Sequence, residues 1–138
     1  QQCSILKISG SEIIIQNNNI QGNVEEEEAH GIEIEGTNII CSNNILSKHY
    51  NGIDLNNCNN SIIIGNICTS NIGTHIELND SSNNVIINNS CIKGDALDTI
   101  ALYGSSSKYN LISSNNCMGK AVVIGGGTGN TEVNNKWE

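Results

Sequence analysis

The sequence repeats a short apolar-x-apolar motif at intervals of about 20–25 residues, and this repetition restricts the fold more than any other feature. The copies are Leu6-Lys7-Ile8, Ile32-Glu33-Ile34, Ile53-Asp54-Leu55, Ile76-Glu77-Leu78 and Ile100-Ala101-Leu102, with a weaker sixth at Val122-Val123-Ile124. A Ser, Asn or Gly turn and a second apolar stretch follow each copy. Alternation with a period of two residues indicates strands, and repetition at this interval is typical of a solenoid.

An Asn closes each copy and is followed, two residues later, by an apolar side chain. The closing residues are Asn18, Asn43, Asn66, Asn89, Asn116 and Asn135, spaced 25, 23, 23, 27 and 19 residues apart. Asn tolerates the left-handed backbone of tight corners, and stacked Asn side chains form hydrogen-bonded ladders. We therefore predict an all-β parallel β-helix of about six rungs, with roughly 23 residues per rung and Asn ladders at its corners.

The composition agrees with this architecture. The 138 residues include 25 Asn and 24 Ile but no Pro, Phe or Arg. Abundant Ile argues against disorder, and both Asn and Ile are mediocre helix formers. Stacked Ile side chains supply a core without aromatic residues, and Pro would remove donors from the strand ladders. We interpret residues 1–138 as a single β-helix domain that is a fragment of a longer chain.

The charge balance excludes several classes of partner. The formal net charge is −8, and there is no Arg to form bidentate phosphate contacts. Nucleic acid is therefore not an expected partner, and a polyanionic sugar would need bridging cations. No apolar run approaches the roughly 18 residues of a membrane span, so no membrane partner is expected.

The six Cys residues show no CxxC spacing of a zinc or redox site. Cys68 and Cys91 fall in the same inward column, as stacked free thiols or, alternatively, as a disulfide. Cys58 and Cys117 are expected at turns or corners. Reduced thiols would indicate assembly in a reducing compartment.

The middle residue of each apolar-x-apolar motif points outward, so these residues form a surface column of Lys7, Glu33, Asp54, Glu77 and Ala101. Stacked carboxylates raise the pKa of at least one member, as acid/base glycoside hydrolysis requires. Adjacent rungs about 5 Å apart suit a retaining pair, and alternate rungs roughly 9–10 Å apart suit an inverting pair. We predict Asp54 and Glu77 as the acid/base pair, with Glu33 as a third catalytic candidate.

Candidate substrate-binding residues border this column. They are His30, His75, Asp95, Asp98, Asn56, Asn79 and Tyr103. The first four precede their strands, the two Asn continue the outer face as a polar shelf, and Tyr103 is placed to stack on a sugar ring. His49 and Tyr50 are interpreted as loop residues without special chemistry, and Glu25 to Glu28 as a solvated loop.

Three interpretations of the acidic column stay open at this stage. It is a solvated face, a carbohydrate site, or a Ca²⁺ site, since Ca²⁺ prefers carboxylate and carbonyl oxygens. No cofactor other than Ca²⁺ is indicated.

From Ile5 to about Trp137 the chain resembles the right-handed parallel β-helix (pectin-lyase-like) superfamily, which includes pectate lyases, polygalacturonases, alginate epimerases and phage tailspike or appendage proteins. The stretch from Asn84 to Asp95 is similar to a polygalacturonase segment ending in Gly-Asp-Asp, but Ala96 replaces the second Asp. The polygalacturonase Asn-Thr-Asp, Gly-His-Gly and Arg-Ile-Lys motifs are absent, and the lack of Arg disfavours a pectate lyase mechanism.

The resemblance implies a polysaccharide lying along the strand face, bound or processed there. The alternative is a non-catalytic rod segment of a tailspike, appendage or surface adhesin. It also implies a homotrimer or flanking domains of the same chain, and a location outside the cell or on a virion surface. Whether the protein is an enzyme stays open at this stage.

Overall fold

The computed structural model describes residues 3–23, 29–92, 94, 96–120 and 122–137. These residues form 17 strands and no helix, so none of them lies in a helix that could cross a membrane. The chain winds as a parallel β-helix, because each turn adds one strand to each of three sheets. Five turns are complete, and a sixth supplies strands to two of the sheets. The predicted fold is confirmed.

Three sheets run along the coil, and all neighbouring strands in them are parallel. Sheet 1 contains β1 (Cys3–Ser11), β4 (Ala29–Thr37), β7 (Ile53–Asn56), β10 (Thr74–Asn79), β13 (Asp98–Tyr103) and β16 (Val123–Ile124). Sheet 2 contains β2 (Ile14–Gln16), β5 (Ile40–Ser42), β8 (Ile62–Ile64), β11 (Val85–Ile87), β14 (Leu111–Ser113) and β17 (Thr131–Val133). Sheet 3 contains β3 (Asn19–Gln21), β6 (Ile45–Ser47), β9 (Ile67–Thr69), β12 (Ser90–Ile92) and β15 (Asn116–Met118).

The core consists of aliphatic columns that run through the centre of the coil. Sheet 1 contributes two columns, represented by Ile53 and Leu55, because both apolar positions of the repeated motif point inward. Sheets 2 and 3 contribute the middle residue of most of their three-residue strands, as at Ile63 and Cys68, whereas in β17 that residue is the exposed Glu132. Stacking at about 4.8 Å brings each side chain against its equivalents on the neighbouring rungs. This explains why one residue type, Ile, dominates the core.

A ladder of Asn side chains forms the corner between sheets 2 and 3, as predicted, but two of its members differ from the predicted residues. The ladder runs through Asn18, Asn44, Asn66, Asn89, Asn115 and Asn135, with each Nδ2 donating to the next Oδ1 over 2.9–3.0 Å. Asn43 and Asn116 were expected in this ladder and are not its members. Asn43 instead takes the left-handed backbone of the corner, with φ of 55°. Asn116 starts strand β15.

The Cys residues of sheet 3 stack in one inward column. Cys68 pairs with Cys91, and Cys91 pairs with Cys117, so Cys117 lies inside a strand and not at the expected corner. Cys41, Cys58 and these three are buried free thiols, which excludes the alternative Cys68–Cys91 disulfide. The expected solvated loop at Glu25 to Glu28 lies outside the described residues.

Candidate functional site

Strand pairing in sheet 1 stacks the predicted acidic residues on neighbouring rungs. Glu33 pairs with Asp54, and Asp54 pairs with Glu77. Lys7 pairs with Glu33 at one end of the column, and Ala101 pairs with Glu77 at the other. Three carboxyl groups therefore occupy one column, on neighbouring strands whose backbones lie about 4.8 Å apart.

Asp54, at the centre of the column, is buried even though it points away from the core. It is 2% exposed. One carboxyl oxygen, Oδ2, accepts a 2.8 Å hydrogen bond from Asn56 Nδ2 and lies 3.7 Å from His30 Nε2. Burial raises the pKa of Asp54 to about 6, and the neighbouring carboxyl groups of Glu77 and Glu33 add to the rise, while His30 and the Asn56 hydrogen bond oppose it. Asp54 therefore holds a proton at a higher pH than an ordinary Asp.

Glu77 receives two amide donors. Its Oε2 accepts a 3.1 Å hydrogen bond from Asn51 Nδ2, and its Oε1 accepts a 2.7 Å bond from Asn79 Nδ2. The same Asn79 nitrogen lies 3.4 Å from Asp54 Oδ1. A single donor thus bridges the two carboxyl groups.

Glu33 differs from Asp54 because it has a cationic partner. Its Oε1 lies 2.7 Å from Lys7 Nζ, and its Oε2 accepts a 2.6 Å hydrogen bond from Ser4 Oγ. Partial burial acts to raise the pKa of Glu33, but the hydrogen bonds and charge of Lys7, together with Ser4, outweigh it and hold the pKa below its usual value. Equivalent positions on adjacent rungs therefore carry carboxyl groups with opposite pKa shifts.

The acidic column forms the wall of an open pocket of about 440 Å³. Its lining includes six of the predicted residues, His30, Glu33, Asp54, Asn56, Glu77 and Asn79. Four further residues complete it, Glu35, Tyr50, Asn51 and Asn57. No Lys or Arg is among the lining residues, so the surface is rich in hydrogen-bond acceptors and negatively charged.

The predicted position of His75 at the rim of the column is wrong. The side chain is completely buried, and its Nδ1 lies 2.9 Å from Asn71 Nδ2, which is also buried. On the preceding rung this position is Gly52, where an added Cβ would meet Asn71 Nδ2 and Cys68 Sγ, so the position faces the interior. Strand alternation breaks here, since Ile76 also points inward.

Asp98 and Tyr103 lie on the next rung and are not part of the pocket lining. Tyr103 Oη donates a 3.2 Å hydrogen bond to Asp98 Oδ2, and Lys120 Nζ lies 3.8 Å from Asp98 Oδ1. Burial raises the pKa of Tyr103, and Asp98 adds to the rise through its charge and its hydrogen bond. Asp95, the remaining predicted residue, lies outside the described residues.

Four lining residues were not among the predicted site residues: Glu35, Tyr50, Asn51 and Asn57. Asn51 Nδ2 donates to Glu77, while its Oδ1 accepts a 2.8 Å hydrogen bond from the Thr74 backbone N–H. Tyr50 places its ring 6.3 Å from the His30 ring in an edge-on arrangement of 79°. Tyr50 and Asn51 could have been identified from their position just before the strand that carries Asp54. Tyr50 is also one of only three Tyr residues in the chain.

The described side chains do not form a preorganised metal centre. Among the residues that the structure describes, no group of three or more His, Cys, Asp and Glu side chains is arranged to hold a metal ion. The carboxyl oxygens of Asp54 and Glu77 are instead occupied by amide donors.

A family model described as the right handed beta helix region matches residues 1–137. The chain belongs to the right-handed β-helix family. No curated protein and no solved structure matches it. Membership of this β-helix family accounts for the coil and its three sheets, whereas the pocket is a feature of this chain's own side chains. A fold of this kind does not by itself specify an activity.

Proposed function

We propose that the protein binds a neutral polysaccharide along the acidic face of sheet 1 and hydrolyses it with Asp54 and Glu77. One observation carries this proposal. A carboxyl group whose pKa is raised to about 6 adjoins a second carboxyl group in the wall of an open pocket. Two carboxyl groups in different environments, one acting as acid and the other as nucleophile, are what glycoside hydrolysis needs.

Asp54 is the proposed general acid, which protonates the glycosidic oxygen as the bond to the leaving sugar breaks. Glu77 is the proposed nucleophile, whose carboxylate oxygen bonds to the anomeric carbon. Water then releases the sugar, with Asp54 accepting its proton. The hydrogen bonds from Asn51 and Asn79 orient the Glu77 carboxylate for this step.

The proposed substrate is neutral because of the charge of the site. Four carboxyl groups line the pocket, with no Lys or Arg among the lining residues, and the formal net charge of the chain is −8. A polyuronate would meet like charge along the whole groove, while hydroxyl groups of a neutral sugar donate hydrogen bonds to these oxygens.

The test is release of reducing ends from a panel of soluble neutral polysaccharides. We expect Asp54→Asn and Glu77→Gln each to lower kcat by at least about 100-fold, as expected for loss of a general acid or a nucleophile. Glu132→Gln is the matched control, because Glu132 is exposed on sheet 2 and should leave turnover unchanged. Equal turnover by all three variants, or no turnover by the wild-type protein, would refute hydrolysis at this pair.

A second candidate function, that of a structural rod, is supported by the other flank of the coil. The six strands of sheet 2 and the five of sheet 3 contain a single charged residue, Glu132. Their outward side chains include exposed aliphatics such as Ile40, Ile45, Ile62 and Ile67, each 38–42% exposed. We propose that this flank packs laterally against other copies, as in a homotrimer.

Sedimentation measurements test this second role. An Ile40→Lys and Ile62→Lys double variant is expected to be monomeric where the wild-type chain associates, because buried Lys ammonium groups would oppose packing. A wild-type chain that stays monomeric at high concentration would eliminate lateral assembly.

A further inference from the structure

Tyr50, which lines the pocket, stacks with the two residues that hold the equivalent place before the next sheet 1 strands, Gly73 and Leu97, and we call these three residues the ledge. Their backbones stack on successive rungs, since Gly73 N–H donates to Tyr50 O over 2.8 Å and Leu97 N–H donates to Gly73 O over 2.7 Å. Tyr50 N–H in turn donates to Ala29 O over 2.7 Å. The ledge is therefore held by the same kind of ladder as the strands and is not a free loop.

The small residues stacked on either side of Tyr50 leave room for its ring. Ala29 below it is small and buried, and Gly73 above it has no side chain. A Cβ on Gly73 would come within 2.9–3.0 Å of Tyr50 Cε1 and Cδ1, so the ring rests against the glycine backbone. The His30 ring supports it from another direction in the edge-on contact. These contacts fix the position of the ring in the pocket wall.

Tyr50 is the single aromatic residue other than His30 among those lining the pocket, and it is half-buried. Leu97 continues the ledge two rungs away and is 59% exposed. Among the lining residues, the carboxyl groups present oxygen atoms and the Tyr50 ring presents apolar surface. A pyranose matches this contrast, because its hydroxyl groups point outward from the ring while its faces carry C–H groups.

We propose that Tyr50 determines the specificity of the pocket by stacking on the C–H face of a pyranose in the gluco configuration. This inference rests on the proposed function, since it assigns the substrate class of the same site. All ring hydroxyl groups of a gluco-configured sugar are equatorial, so either face can lie flat on the ring. An axial hydroxyl group, as in a manno-configured sugar, holds one face away from it.

The experiment measures binding of cellohexaose, laminarihexaose and mannohexaose by titration calorimetry. We expect a gluco-configured oligosaccharide to bind the wild-type protein more tightly than mannohexaose. Tyr50→Phe should retain this affinity, whereas Tyr50→Ala and Tyr50→Leu should weaken it about tenfold, because Leu supplies apolar area without a flat face. Tyr109→Ala is the matched control, since Tyr109 is 64% exposed and is not a lining residue.

The outcomes separate the two proposals. Binding of a gluco-configured oligosaccharide that survives Tyr50→Ala, or that is retained equally by Tyr50→Leu and Tyr50→Phe, overturns stacking but leaves the carbohydrate site intact. Preferred binding of mannohexaose overturns the assigned configuration. If the wild-type protein binds none of the three, the carbohydrate function and this inference both fail. Circular dichroism of each variant confirms that the β-helix is retained.

Discussion

Two adjacent residues, Asn43 and Asn44, provide a direct test of how the corner ladder stabilises the coil. The repeat pattern favours Asn43 as the ladder residue, whereas the structure assigns this position to Asn44. Asn44 is completely buried, and Asn43 is exposed with φ of 55°. Replacing each by Ala therefore removes the same side chain from two very different environments.

The expected cost of Asn44→Ala follows from four hydrogen bonds to nitrogen or oxygen partners, in addition to a 3.3 Å contact from Nδ2 to Cys41 Sγ. Asn44 Oδ1 accepts from the backbone N–H and the Nδ2 of Asn18, and Asn44 Nδ2 donates to Asn66 Oδ1 and to Ile15 O. At roughly 1 kcal/mol for each bond, the loss is about 3–4 kcal/mol. This is a large fraction of the 5–15 kcal/mol or so that a domain has in total.

Asn43→Ala should cost only about 1 kcal/mol, which is the penalty for placing a Cβ-bearing residue without a local hydrogen bond in the left-handed region. Asn43→Gly, which removes that penalty, should be close to neutral. Urea unfolding at constant temperature measures the free energy of unfolding for all three variants. If Asn43→Ala destabilises the protein as much as Asn44→Ala does, the ladder does not act as described.

Three further expectations concern other parts of the coil. Because the pKa of Asp54 is raised to about 6 in the folded chain, its contribution to stability is fully present below its unfolded value of about 3.9 and is lost as the pH rises through about 6. Relative to Asp54→Asn, the wild-type protein should therefore lose up to about 3 kcal/mol of unfolding free energy between pH 4 and pH 7, and parallel pH profiles would contradict this. Gly36→Ala should destabilise the coil far more than Gly10→Ala, although both glycines have φ near 140–150°. A Cβ on Gly36 collides with the Gly10 backbone, whereas a Cβ on Gly10 meets only Ile13 Cδ1 at 3.3 Å. Equal melting temperatures for the two variants would argue against the clash. The buried thiols should react with a water-soluble disulfide reagent only after unfolding, since burial raises the pKa of Cys41 to about 12 and that of Cys117 to about 11. Fast reaction of either thiol in the native protein would refute their burial.

The acidic column was predictable because its members share one position of a repeat. Once each rung pairs with the next, Glu33, Asp54 and Glu77 must stack, whatever the exact loop lengths between them. The different pKa shifts of Glu33 and Asp54 were not predictable in the same way. They depend on how deeply each carboxyl group is buried and, for Asp54, on His30 and Asn56, whose side chains meet the column only after the coil has formed.

Positions at the corners show where sequence reasoning failed. His75 looked like an outward residue because strict strand alternation would place it beside Glu77 on the outer face. His75 and Ile76 are nevertheless both buried, and Asn71 Nδ2 lies 2.9 Å from the imidazole Nδ1 inside the coil. The one-residue errors at Asn43 and Asn116 have the same origin, because consecutive Asn residues leave the register of a corner undetermined until strands pair.

The repeat pattern was enough to specify the parallel β-helix, its approximate number of rungs, its aliphatic core and the alignment of the acidic residues. These properties follow from periodicity, because a chain that stacks on its own repeat brings equivalent residues together about every 4.8 Å. Three features depend on long-range contacts instead: which Asn residues form the corner ladder, the burial of Asp54 beside His30, and the place of Tyr50 in the pocket lining. Those features arise from contacts between residues 20 or more positions apart, whose side-chain directions no local pattern specifies.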